Sequence, residues 1–433
     1  MKEWKTYLVE DLFEEIAMGP FGSNIKVDCF QPTGVPVLNG SNLFGYTLNE
    51  DSFNYVSTEK ADSLGRSNAF RGDIVITHRG TLGQIVYIPE NSKYDRYVIS
   101  QSQFRLKLDT TKVLPSFFVY FFHTRLGQHR LLSNASQVGV PAIARPTSTF
   151  KKVEIELPSI SLQQRIVDIL DSIGNKIELN NRINHNLEEQ AQALYKSWFV
   201  DFEPFRGGNF VDSELGLIPE GWRVGCYNDI ISSTVSGDWG KDREVGNYTH
   251  KVSCIRGCDF ADVSSGISGK TPERFVLEKN FQNKRLLDKD IIVEISGGTP
   301  TVSTGRICLV SDNLLDKYSG NIVCTNFCRV IRPCSGYSSY VFYSWLDKYK
   351  SRVMFGYENG TSGIKNFQIS DFMEKEPVII PPQTVIAKFQ TIVEVYQAVI
   401  QRNGNERMEC ETVRDTLLPK LMSGELKISD LTC

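Results

Sequence analysis

Few stretches of this 433-residue chain combine side chains that could do chemistry. Residues 264–271, SSGISGKT, approach a phosphate-binding loop, in which backbone N–H groups and a lysine cradle a nucleotide. Ser264 stands where the first glycine should be, no apolar strand precedes it, and Pro272 follows, so nucleotide binding is not expected there. Asp290 and Glu294 have a nuclease-like spacing, but Ser296 occupies the place of the following lysine. The Gly-rich run 297–306, GGTPTVSTGR, lacks a terminal Lys-Ser/Thr, and no Asn/Asp-Pro-Pro-aromatic motif for amino methylation occurs. His78, His123, His129, His185 and His250 fall at no metal-ligand spacing. Cys254 with Cys258, and Cys324 with Cys328 and Cys334, lack short zinc spacing and nearby histidines, and read as structural thiols in a reducing cytoplasm. Neither a catalytic centre nor a metal site is expected.

What remains is a set of polar loops punctuated by glycine. Asn39 and Ser41 lie in NGSN. His78, Arg79 and Thr81 flank Gly80, and Ser296 and Thr299 flank Gly297 and Gly298. Gln101 and Gln103 alternate along a strand and share one face, and Asn326 lies between two apolar runs. Side chains of these types on short loops reach base edges and phosphates. They equally suit plain hairpin turns, and both readings stand at this point.

The elements that must position these loops are short strands, among them VPVLNGSNL, DIVITHRGTLGQIVYI, DIIVEISGG and NIVCTNFCRVI. Their β-branched content, alternation and frequent glycine predict mostly β domains with a few helices. PSFFVYFFHTRLGQHRLL and SSYVFYSWLDKYKSRV read as corresponding helices, and residues 206–221 as a linker.

Two longer segments organise the rest. Residues 161–199 contain no proline and repeat apolar residues at Ile166, Ile169, Ile173, Ile177, Ile183, Leu187, Ala191, Leu194 and Trp198. Residues 384–422 do the same at Phe389, Ile392, Tyr396, Ile400, Cys410, Val413, Leu417 and Leu421. Steps of three, four and seven make a narrow seam on a long helix, the pattern of a coiled coil. An offset of 223 carries one seam onto the other, with five asparagines (175, 180, 181, 184, 186) on or beside the first. Gly404, within Arg402-Asn403-Gly404-Asn405, predicts a local break in the second helix. The flanking regions repeat too: Trp4 matches Trp222, Asp73 matches Asp290, Gly80 matches Gly297, and FRL at 104–106 matches CRV at 328–330. The chain is a tandem duplication of a globular domain followed by a long helix.

Composition fits no strong nucleic-acid footprint. The formal charge is −3, and residues 156–205 carry four basic against eight acidic side chains, so any nucleic-acid surface is local or completed by partners. No signal peptide and no membrane span are expected.

Four further stretches resemble one family. GPFGSNIK from Gly19 resembles its opening motif and LPSISLQQRIVDIL its helix entry. SWFVDFEPF with SELGLIPEGWRV resembles its central region, and LLPKLMSGEL its C-terminal signature. The chain thus resembles the specificity subunit of type I restriction–modification systems. The resemblance implies an α+β fold: two mostly β target-recognition domains separated by two long antiparallel helices in a coiled coil, a pseudo-two-fold tandem repeat. The expected bounds are 1–157 and 206–380 for the domains (the second with its linker), and 158–205 and 381–433 for the helices. The resemblance implies a non-catalytic subunit whose domains each read half of a bipartite double-stranded DNA site. The helices would set the spacing and dock two modification (adenine methyltransferase) subunits. Helix candidates for that docking are Ile166, Ile173, Trp198, Phe389, Leu417 and Leu421. Restriction (translocase and nuclease) subunits would join, and S-adenosylmethionine, ATP and Mg would be bound by these partners, none by this chain. A coiled-coil adaptor without DNA binding and a self-sufficient restriction–methylation enzyme are the competing classes; the missing methylation motif speaks against the second.

Overall fold

The computed structural model describes residues 4–22, 24–136, 139–299, 301–360 and 364–428. They form two compact units, Met1–Asn175 with Glu411–Cys433, and Lys176–Cys410.

In the first unit the strand Ile74–Thr77 is buried at every position, as a run of β-branched residues inside a sheet requires. It lies between Gln103–Leu108 and Ile85–Tyr87, and Phe13–Met18 forms the far edge. A second four-stranded sheet contains the parallel pair Val35–Leu38 and Arg96–Ile99. A ladder ties Lys5–Leu8 to Glu154–Leu157. Phe117, Phe118, Phe122 and Phe150 fill the core together with Ile166, Val167 and Leu170 from the first long helix and Leu418, Leu421 and Met422 from the second. Each such burial is worth about 1.5–3 kcal/mol, so both helix ends are part of this unit's core.

The second unit repeats the main sheet, the parallel pair and the closing ladder, but its second sheet has three strands instead of four. Ile231–Ser236, Cys328–Pro333, Ile291–Glu294 and Ile307–Leu309 form the four-stranded sheet in the same order. Tyr248–Ile255 and Ile322–Cys324 are the parallel pair, and Arg223–Cys226 with Pro377–Ile380 is the closing ladder.

Register corrects one match drawn from sequence. Ile74 faces Leu106 and Ile291 faces Ile331, so the equivalent strands are offset by 225, not by the 224 that aligns FRL with CRV. The error came from matching arginines that are not equivalent. Buried Asp73 pairs with Arg105 at 3.2 Å, and buried Asp290 pairs with Arg332 at 3.1 Å. In register Arg332 corresponds to Lys107, two residues further along, which is the same face of the strand. The carboxylate kept its place while its cation moved one rung.

Both long helices are 40 residues, Ile160–Phe199 and Gln383–Met422, about 60 Å at 1.5 Å per residue. Within the second unit they run antiparallel: Asn180 meets Asn403, Asn184 meets Ile400, and Phe199 meets Phe389. Asn180 and Asn403 are themselves equivalent at offset 223, so they mark the local pseudo-dyad. Asn180 Nδ2 donates to Asn403 O, Asn403 Nδ2 to Asn184 Oδ1 at 2.9 Å, and Arg407 to Asn181 Oδ1 at 3.0 Å. Polar groups buried in a seam must find one another, which fixes the register of the pair.

The seam differs from the expected one in detail. Ile183 and Val413 are exposed, while Val167, Leu170, Tyr195, Phe199, Ile386 and Val393 are buried. At position 414 the arginine takes the inward place, its guanidinium 5.3 Å above the Tyr46 ring in the first unit. Gly404 does not break its helix. A Cβ there would meet Gly266 backbone at 2.4 Å and Ser265 O at 2.5 Å, so the glycine admits the 265–266 turn against the helix. The helix expected over PSFFVYFFHTRLGQHRLL is two, Pro115–His123 and Arg125–Leu131. Thr124 turns extended between them and caps Gly127 N at 3.0 Å. Its counterpart Ser338–Lys350 stays single. The expected linker contains a hairpin, Phe210–Ser213 with Gly216–Pro219.

Candidate nucleic-acid interface

In the first unit, turns from distant parts of the sequence meet at one end of the buried strand Ile74–Thr77. Thr77 Oγ1 donates to Gln84 Oε1 at 3.0 Å, and Gln84 Nε2 donates to Gly40 O at 2.8 Å. These bonds join the 77–84 turn to the 39–42 turn. His78 N donates to Ser102 O, and Ile143 N to His78 O, both at 2.9 Å. Gly80, at φ 90°, bonds Pro141 O. The fold therefore brings Asn39, Ser41, His78, Arg79, Thr81 and Gln101 together.

Their roles differ. Ser41, Arg79, Thr81 and Gln101 are exposed. Asn39 is spent on its own turn: its Oδ1 accepts from Ser41 N at 2.8 Å. His78 Nε2 lies 3.2 Å from Gln101 O, and a ring nitrogen facing a carbonyl must carry the proton. Burial holds the imidazole below its ordinary pKa, so near neutrality it is an uncharged donor. Arg79 makes no ion pair among the described residues, leaving its cation available. Gln103 does not share the exposed face with Gln101. It is buried because the chain turns between them, and its Oε1 braces Ser100 N at 2.9 Å. It supports the turn from beneath.

Sequence reasoning missed a basic cleft beside these turns. About 480 Å³ in volume, it is lined by His129, Arg130, Arg145 and Lys152, with Glu154 the one carboxylate among them. Ala144 N bonds Asn134 O, next to the strand that meets His78. Arg145 sits at φ 48°, a left-handed conformation that costs a non-glycine residue about 1 kcal/mol or more. The only sequence signal was Arg145-Pro146, since proline fixes the turn after it.

The second unit builds the same end from different side chains. Ile295 N donates to Phe327 O at 2.9 Å, the counterpart of His78 with Ser102. Ser296 pairs with Asn366, as Arg79 pairs with Ala142, and its Oγ donates to Asn366 Oδ1 at 2.9 Å. Thr299 closes its own turn by accepting from Val302 N at 3.0 Å. Asn326 is exposed at the turn tip, at the place of Gln101. Beneath, Arg306 grips both Glu294 oxygens at 2.7 and 2.6 Å. Glu294 and Asp290 are thus each held by an arginine, which explains their spacing without a nuclease. Among the described residues no group of three or more His, Cys, Asp or Glu could hold a metal ion. The nine described cysteines are free, and burial pushes the Cys254, Cys308 and Cys328 thiols up to about 12.

One contact shows how strictly the two ends correspond. A Cβ on Gly19 would lie 1.9 Å from Ser100 O, and a Cβ on Gly237 would lie 1.9 Å from Thr325 O. Each glycine lets the chain pass directly behind the turn that carries Gln101 or Asn326.

Residues 1–189 match the family model described as the type I restriction modification DNA specificity domain. The type I restriction enzyme MjaIX specificity subunit of Methanocaldococcus jannaschii is 28% identical over 442 residues, 99% of this chain and 95% of that one. Along nearly its whole length the chain is similar to type I restriction enzyme specificity subunits. The HindI specificity subunit of Haemophilus influenzae is 23% identical across 98% of this chain and 100% of its own length. A crystal structure of the type I specificity subunit from M. genitalium shares the fold, with a TM-score of 0.54 at 17% identity over 96% of each chain.

The long helices carry the remaining candidate residues. Ile166, Phe389 and Leu421 are buried in the chain's own cores, and Ile173, Trp198 and Leu417 are partly buried. Leu179, Ile183 and Val395 are large apolar side chains left exposed on the long helices within the second unit. No helix among the described residues is long and apolar enough to cross a membrane.

Proposed function

We propose that each unit's cluster of turns reads one half of a bipartite double-stranded DNA site. The observation that carries this is the repetition of one end in two chemistries. The backbone plan is the same, yet Gln101 is replaced by Asn326, Arg79 by Ser296 and His78 by Ile295. An unchanged frame with changed donors and acceptors is what two different half-sites need, because base identity is read by side-chain hydrogen bonds in the groove. The basic cleft at Arg145 and Lys152 would hold a phosphate, which positions without specifying.

In this reading residues 1–157 and 206–380 are the target-recognition domains. Residues 158–205 and 381–433 are the spacer, which sets the number of unread base pairs between half-sites. Two modification subunits dock on the helices at Leu179, Ile183, Val395 and the edges of Ile173, Trp198 and Leu417, while Ile166, Phe389 and Leu421 keep the helices in shape from within. Those subunits supply S-adenosylmethionine and the adenine methylation; restriction subunits supply ATP- and Mg-dependent translocation and cleavage. The assembly works in the cytoplasm. Exchanging residues 1–157 for those of a relative should change one half of the methylated motif and leave the other intact. A change in both halves, or in neither, would refute independent readout.

A further inference from the structure

The opening motif at Gly19 has a structural twin that sequence comparison did not reveal. Gly19-Pro20-Phe21-Gly22 and Gly237-Asp238-Trp239-Gly240 lie at a constant offset of 218. The first glycine of each leaves no room for a Cβ, which would stand 1.9 Å from the carbonyl oxygen just before the turn tip. The last glycine of each is left-handed, φ 60° at Gly22 and 58° at Gly240. The two glycines thus bracket two residues at the same place in both copies, and the second of them is a large aromatic in both. Phe21 is 78% exposed and Trp239 36%.

The backbone that carries these rings lies beside the candidate contact residues. Pro20, Gly22, Asn39, Ser100 and Gln101 line one shallow cleft of about 160 Å³. In the second unit Asp238 N bonds Cys324 O at 2.8 Å, next to the turn that carries Asn326. Arg274 lies 4.3 Å from the centre of the Trp239 ring and donates from Nε to Trp239 O at 2.9 Å. One face of the indole is therefore covered by a cation and its orientation is fixed. Leaving a Phe side chain in water forgoes about 1.5–3 kcal/mol of burial; Phe21 is left largely in water, and Trp239 keeps about a third of its surface open. A preset aromatic among polar contact residues suits a duplex that is partly unstacked where the ring inserts, since the flat face of a base is reached only there.

We propose that Phe21 and Trp239 are equivalent apolar base-contact residues, each stacking on a base of the half-site read by its own domain. This rests on the reading of the turn clusters as the DNA interface. The test uses the chain assembled with its modification subunits, with Phe21→Ala, Trp239→Ala, Trp239→Leu and Trp239→Phe variants. Binding is measured to duplexes with both half-sites intact or with either one scrambled. Each alanine variant should bind the intact duplex about five- to tenfold more weakly, the low end of base–aromatic stacking. That loss should vanish when the variant's own half-site is scrambled. Trp239→Phe should recover most of the affinity and Trp239→Leu should not. Unchanged binding, an equal loss on every duplex, or loss of modification subunits at unchanged DNA affinity would overturn the proposal. Arg79→Ala and Asn326→Ala are run alongside. If they weaken binding and the aromatic variants do not, the stacking proposal alone fails; if none does, the interface itself is misplaced.

Discussion

Adding one methyl group at Gly19 should disable one half-site and spare the other. A Cβ there would stand 1.9 Å from Ser100 O and 2.7 Å from Ser100 C, and real Cβ atoms do not come within 3.0 Å of such neighbours. The obstacle is backbone, so no side chain can rotate away, and the turn must shift by about 1 Å. That turn is held by Gly19 N to Gln103 O at 2.8 Å and by His78 N to Ser102 O at 2.9 Å, and the displacement strains both. Overpacking of this kind costs about 1–3 kcal/mol of stability. Base contacts made from the turn, each worth about 1–3 kcal/mol of discrimination, lose their geometry, so specificity for that half-site should fall about tenfold or more. Gly237→Ala meets Thr325 O at 1.9 Å and Cys324 O at 2.6 Å and should do the same to the other half. Gly207→Ala, with nothing within 4 Å, is the control. The assay is equilibrium binding of the assembled complex to duplexes carrying both half-sites, either one, or neither. Wild-type discrimination by Gly19→Ala, or loss at the same half-site from both variants, would refute the reasoning.

Three other outcomes follow from particular contacts. Burial raises the Asp73 carboxyl to about 6; a raised acid stabilises the fold fully below its unfolded value and loses that contribution as pH rises through about 6. The loss is on the order of 2–3 kcal/mol, and Asp73→Asn should flatten this pH dependence in denaturant titrations from pH 4 to 7. Gly404→Ala gains about 1 kcal/mol of helix propensity but drives Cβ into the Gly266 backbone at 2.4 Å, so chemical denaturation should show a net loss of about 1–3 kcal/mol; stabilisation would contradict the packing. Arg145→Ala should weaken binding to all sequences alike and reduce the salt slope by about 1, whereas loss confined to cognate DNA would make Arg145 a base reader.

The long helices and the duplication were legible because burial on a helix repeats at fixed steps, and an offset of 223 carries one seam onto the other. Their details were not, since an apolar residue marks a face only when no better occupant stands beside it. Arg414, stacked on Tyr46, displaces Val413 to the surface, because a long cationic stem can cover apolar surface as a valine does. Gly404 looked like a helix breaker because the turn that needs it lies about 140 residues away, at Gly266. The sequence marks the candidate turns as polar and glycine-flanked. That Gln103 lies inside while Gln101 lies outside depends on a turn between them that alternation does not reveal. The basic cleft was invisible because His129, Arg130, Arg145 and Lys152 come from three separate segments.

The central claim is that one chain carries two independent readers. Methylation-sensitive long-read sequencing of a host expressing this chain with its modification subunits tests it most directly. The account predicts one bipartite motif, methylated on adenine in each half, with an unread gap of fixed length that disappears when the chain is deleted. A continuous motif, or methylation that survives the deletion, would contradict it.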